Sequence, residues 1–126
     1  MLIVEQSQLD VLLAEAMDEL PTEHMNKIKN LAIVWADEPT EAERQQMQLL
    51  PYQTLLGLYQ GVPLPQRQGR LNDYPPGKIT LYRVPILRSV NSIPELKAQL
   101  KHTLWHEIAH YFGLDHGQIR SLEQKQ

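Results

Sequence analysis

The stretch "HEIAHYFGLDH", residues 106–116, puts three histidines, a glutamate and a glycine on a tight period. On an α-helix His106 and His110 sit one turn apart on one face, so both imidazoles can reach a single metal ion. Glu107 is rotated from His106 by about 100°, close enough to hold a metal-bound water without competing as a ligand. Gly113 adopts positive φ at no steric cost, so the chain can turn sharply and return His116 to the metal. Three neutral imidazoles and an open fourth position are the coordination of a catalytic zinc ion, whereas structural sites are closed by four protein ligands. Imidazole suits zinc, and a chain without cysteine has no thiolate to capture a softer metal. Gly113 and His116 at fixed offsets make a coincidental match a poor explanation.

That chemistry needs a helix that turns the histidines away from the core. In "SIPE", Ser92 is placed as N-cap, Pro94 in the first turn and Glu95 as the return arm of a capping box. The helix is predicted to run to about Phe112 and to end at Gly113. Leu96, Leu100, Leu104, Ile108 and Phe112 form one slowly drifting stripe, widened by Trp105 and Ala109, which is the core face. His102, His106 and His110 step together on roughly the opposite side. His102 lies one turn before the pair and outside the ligand triangle, so it reads as a solvated side chain.

Upstream, Leu9, Leu12, Leu13, Ala16, Met17 and Leu20 follow helical spacing, predicting an amphipathic helix over 7–20 with Ser7 as N-cap and Pro21 as stop. A short helix is expected at 23–29. "LAIVWAD" (31–37) reads as a buried strand, 40–50 as a polar surface helix opened by Thr40, and 54–62 and 78–84 as further strands. The segment 63–77, "PLPQRQGRLNDYPPG", has too many breakers for an element and reads as a connection or a binding loop. It carries Arg67, Arg70 and Tyr74 and leads into 78–84, the strand expected to receive an extended peptide.

The 126 residues suit one domain over 1–126 with one modest core. Twelve Lys and Arg against fifteen Asp and Glu, with neither sign clustered, argue against a large nucleic-acid surface. No apolar run approaches the ~18 residues of a membrane span, and the N-terminus lacks a signal peptide's basic region. With no cysteine, disulfides are excluded, and a reduced, cytoplasmic setting is the simplest expectation.

"HEIAHYFGLDH" resembles the zinc-binding consensus of zincin metallopeptidases, in the extended form HExxHxxGxxH that metzincins use. From about residue 31 onward the chain also resembles the small bacterial family of zincin-like, or minimal, metallopeptidases, through "LLGLYQGVPL", "ITLYRVPILR" and "LWHEIAHYFGLD". The resemblance implies an α+β fold: a small mixed sheet of three or four strands carrying an N-terminal helix and a long C-terminal metal-binding helix. It implies a zinc-dependent peptidase acting on a peptide or protein, with His106, His110 and His116 as ligands and Glu107 as the base. Family members often carry Asp at the position of His116, which makes Asp115 a rival third ligand. Met1, Met17, Met25 and Met47 all lie upstream, so the methionine-containing turn of metzincins is absent. Zincins often stabilise the oxyanion with a Tyr, His or Arg, and Tyr82, Arg83, Tyr111 and Arg120 are the candidates.

Two other functions fit part of the pattern. The endoribonuclease family that matures bacterial ribosomal RNA has HxxxHxxGxDH, which these residues also satisfy, but its first histidine is generally not followed by Glu. A metal-binding module without hydrolysis has no use for Glu107.

Overall fold

The computed structural model describes residues 2–67, 75–114, 117–118 and 121, with the side chains of Leu64 and Arg67 excepted. Helix α1 covers Gln6–Asp18, one turn forms α2 at Thr22–Met25, and β1 follows at Leu31–Ala36. Helix α3 is Glu41–Gln46, β2 is Gly57–Gln60, and a 3-10 turn at Leu64–Arg67 precedes β3 at Gly77–Tyr82. The short helix α4, Arg83–Arg88, leads into α5, Ile93–Tyr111.

The sheet is mixed and has three strands in the order β1-β3-β2. β1 runs parallel to β3, with Ile33 opposite Ile79, and β2 runs antiparallel to it, with Tyr59 also opposite Ile79. The architecture is therefore the expected α+β fold, with a small mixed sheet, an N-terminal helix and a long C-terminal helix.

The core lies where α1, α5 and the sheet meet. Leu9, Leu12 and Ala16 of α1 join Ile79 and Leu81 of β3 and the Leu96–Leu100–Leu104–Ile108 stripe of α5. All four stripe residues are fully buried, as are Trp105 and Ala109 to within a percent, while Phe112 packs at the edge. Lys97 and Lys101 pair with Glu15 and Glu19 and pin the end of α1 to α5, a surface cluster of modest worth.

Several boundaries differ from the sequence expectation. α1 opens one residue before Ser7, on an extended Glu5 with no side-chain cap bond, and stops at Asp18, ahead of Pro21. The second helix stops at Met25 rather than reaching 29. Thr40 does open α3: its Oγ1 accepts from the Glu43 N–H at 3.1 Å, while Glu43 Oε1 accepts from the Thr40 N–H at 2.9 Å. That helix ends at Gln46, and Gln48 then takes positive φ.

β1 is an edge strand, not a buried one. Leu31, Ile33 and Trp35 face the core while Ala32 and Val34 are exposed, because only one face of this strand is covered. The predicted 78–84 strand ends at Tyr82. Pro85 supplies no N–H to a ladder, and its fixed φ suits the first turn of α4.

Candidate metal centre

Helix α5 presents the candidate ligands, and both of its ends are locally encoded. The Glu95 N–H donates to Ser92 Oγ at 3.3 Å; the Glu95 carboxylate accepts from the Asn91 N–H at 2.7 Å instead of from Ser92. At the other end Gly113 has φ 75°. The Leu114 N–H donates to the Ala109 carbonyl at 3.0 Å and the Gly113 N–H to that of His110 at 2.9 Å. That pair of bonds is a Schellman motif, which closes the helix and redirects the chain.

With the core stripe buried, His106 and His110 are half-buried on the other side and His102 is exposed. The His106 and His110 rings are 4.8 Å apart centre to centre, and His102 lies 6.4 Å from His106. Ligand atoms of His106, Glu107 and His110 all lie within 4.8 Å of one another. Two imidazoles at that spacing fit a zinc ion with positions left for further ligands, and the Glu107 carboxylate stands beside them. The expected third ligand, His116, and its rival Asp115 lie outside the described residues, as does Arg120.

Glu107 is held from the sheet. β2 packs so tightly on α5 that a Cβ on Gly57 would stand 2.9 Å from Thr103 Cγ2 and 3.3 Å from Glu107 Cγ. That approach brings the Tyr59 N–H to Glu107 Oε1 at 2.9 Å. The carboxyl is only 8% exposed. Burial pushes its pKa up to about 7, against the opposing pull of the Tyr59 N–H. Its value near neutrality suits a group that takes and returns a proton. The sequence carried a signal for this contact: a glycine inside a strand marks a close approach by other atoms.

Three of the four oxyanion candidates are buried or bound to other groups. Tyr82 is fully buried. Arg83 binds the Asp37 carboxylate through Nε at 3.1 Å and Nη2 at 2.7 Å. Tyr111 is also fully buried; its hydroxyl donates to the Lys29 carbonyl at 2.6 Å and accepts from the Lys29 N–H at 2.9 Å. The expectation that 78–84 receives substrate is corrected as well. β3 is the central strand, with both edges already paired, so the strand beside the histidines with an edge turned to α5 is β2.

Two cavities meet at Gly57, His106 and Glu107. One, of about 430 Å³, is lined further by Thr54, Leu55, Leu56, Gln99, His102 and Thr103. The other, of about 450 Å³, is lined by Met47, Leu58, Tyr59, Pro63 and His110. The start of the 63–77 connection thus borders the cleft. Pro65 also packs on the helix end, with its Cγ 3.1 Å from where a Cβ on Gly113 would lie. Arg70 and Tyr74 are outside the described residues.

A helix carrying two histidines one turn apart, with a buried glutamate between them and a small mixed sheet beneath, is the arrangement of a zincin. The chain belongs to the zincin-like metallopeptidase family, whose model matches residues 28–126. No curated protein matches it. Among solved structures it is similar to a conserved hypothetical protein from Thermo thermophilus, at 19% identity and a TM-score of 0.55, covering 97% of this chain and 100% of the other. That likeness concerns the fold. No described helix is long and apolar enough to cross a membrane.

Proposed function

We propose that the protein is a zinc-dependent metallopeptidase, with His106, His110 and His116 holding the metal and Glu107 serving as general base. The observation that carries this reading is the Glu107 carboxyl, buried against β2 and within 4.8 Å of the ligand atoms of His106 and His110. A purely structural metal site gives no reason to bury a non-ligand carboxyl at that position. A zinc ion held there would supply acidification of a water and polarisation of a carbonyl. Glu107 takes the proton from the attacking water as its oxygen bonds to the peptide carbon. It returns the proton to the nitrogen as the C–N bond breaks. The Tyr59 N–H keeps the carboxylate aimed through both transfers.

An extended peptide lies along the outer edge of β2, using main-chain hydrogen bonds for affinity. A peptide or protein substrate, no nucleic acid, and a reduced cytoplasmic setting complete the reading, in keeping with the absence of cysteine and the unclustered charge.

Metal analysis and peptide digestion with Glu107→Gln test it. The variant is expected to retain about one zinc per chain and to lose hydrolysis. Loss of zinc in the variant contradicts the division between ligands and base. Substituting His116 and Asp115 separately settles the third ligand, since only removal of the true ligand lowers zinc content.

A further inference from the structure

Strand β1 closes one side of the sheet, and its outer edge is open. The Asn30 carbonyl accepts from the Gly77 N–H at 2.9 Å, which sets the phase of the parallel ladder. Successive residues of a strand turn their N–H and C=O groups to opposite sides. Ala32, Val34 and Ala36 therefore turn theirs toward β3, and Leu31, Ile33 and Trp35 turn theirs outward. Among the described residues, nothing hydrogen-bonds the outward backbone groups of Leu31, Ile33 and Trp35.

Natural sheets blunt such an edge with charge, proline or a bulge. Within "LAIVWA" there is neither a charged residue nor a proline, and the register runs unbroken from Leu31–Gly77 to Ala36–Tyr82. Ala32 and Val34 add exposed apolar surface, Val34 at 39% exposure. The charges stand at the two ends and are opposite in sign. Lys27 and Lys29 precede the strand, Asp37 and Glu38 follow it, and all four are exposed.

We propose that β1 pairs with β1 of a second copy of this chain, antiparallel across a two-fold axis, so that the two sheets become one. A single register engages all the outward residues. In it Ile33 lies on the axis, Leu31 faces Trp35 of the second copy, and each facing pair exchanges both of its backbone bonds. Ala32 then faces Val34, a small side chain against a β-branched one. The same register sets Lys29 opposite Asp37, with Glu38 one residue beyond, so the basic start of each strand meets the acidic end of the other. A parallel neighbour would bring like charges together at both ends, at a cost in stability. The strand is thus complementary to itself, which selects a second copy as its occupant. β3 separates β1 from β2, so the pairing leaves the cleft at His106 open in both copies and stands apart from the peptidase reading.

Sedimentation of the full-length chain, from micromolar to near-millimolar protein, tests this. The mass should rise with concentration from that of one chain to that of two. Val34→Lys puts a cation into the pairing twice, once from each copy, and should raise the dissociation constant by about tenfold or more. Val34→Thr, equally suited to a strand, should leave it within about threefold.

Cross-linking reads the register independently and decides the matter should Val34→Lys not fold. The chain has no cysteine. Ala32 and Val34 of facing strands form a non-hydrogen-bonded pair with Cα atoms about 4.5 Å apart, within the span of a disulfide. A mixture of Ala32→Cys and Val34→Cys chains should therefore oxidise to the mixed dimer. Either variant alone sets its cysteines diagonally, roughly 7–8 Å apart, and should cross-link far less.

A chain that sediments at its own mass throughout, as it would with the edge covered from within the chain, overturns the proposal. So does a dimer that a folded Val34→Lys leaves intact. Cysteine variants that cross-link as well alone as together, or not at all, overturn it too, because the two strands then do not meet in this register.

Discussion

Replacing Glu107 by Gln should stabilise the metal-free protein increasingly as pH rises above 4.5, with the full effect at neutral pH and above. The carboxyl is 8% exposed, and its pKa stands at about 7 against an ordinary 4.5. Folding therefore favours the protonated form. Below pH 4.5 the group is neutral whether the chain is folded or not, and burial carries no charge penalty. Between 4.5 and about 7 the folded chain binds the extra proton, so stability falls as pH rises through that window. Above it the full penalty is present, roughly 3 kcal/mol at about 1.4 kcal/mol per pKa unit. That is a large share of the roughly 5–15 kcal/mol that typically holds a small domain together. Glutamine keeps an oxygen for the Tyr59 N–H and never ionises, so the variant escapes the penalty. Urea unfolding of both proteins in chelator, at about pH 5 and pH 8, measures the effect. The stability of the variant relative to the parent should rise by up to about 3 kcal/mol across that interval. Zinc should shrink the difference, because a cation beside the carboxylate favours its charged form. A difference flat across pH, or a variant less stable at the higher pH, refutes the claim that burial governs this carboxyl.

Leu104→Ala, on the fully buried stripe of α5, should cost about 2–5 kcal/mol in denaturant unfolding; a loss below about 1 kcal/mol would put the helix face in doubt. Gly57→Val places a side chain against Thr103 Cγ2 and Glu107 Cγ. It should cost about 1–3 kcal/mol and lower hydrolysis more than zinc content, since it parts the Tyr59 N–H from Glu107. Trimming the connection within 68–74 should leave zinc content and Tm nearly unchanged, because lengthening or shortening a connection alters closure entropy only slowly. Activity or specificity should change; if neither moves, the segment is only a connector.

Local rules made the ends of α5 and α3 legible in the sequence. Ser92, Thr40 and Gly113 each act on backbone groups within a few residues of themselves, so no distant part of the chain is needed to read them. The stripe from Leu96 to Ile108 fixed the rotation of α5, and rotation alone turned His106 and His110 to one side. Strand existence was legible for the same reason, since apolar β-branched runs mark it without any partner.

Which strand lies beside which was a different matter, because pairing joins residues far apart in the chain. "LAIVWAD" has the composition of a buried strand, yet β1 lies at the sheet edge, and 78–84 became the centre, with no edge left for a peptide. Tyr82, Tyr111 and Arg83 have the side chains an oxyanion site wants. Burial, the Lys29 backbone and Asp37 claimed them. By itself the sequence determined the helix, its caps and the face carrying His106 and His110, because these follow from contacts within a turn or two. Only the tertiary structure decided that β2 crosses that helix at Gly57 and delivers the Tyr59 N–H to Glu107. A buried carboxyl's pKa depends on the water that long-range packing excludes, and no local pattern of residues encodes that.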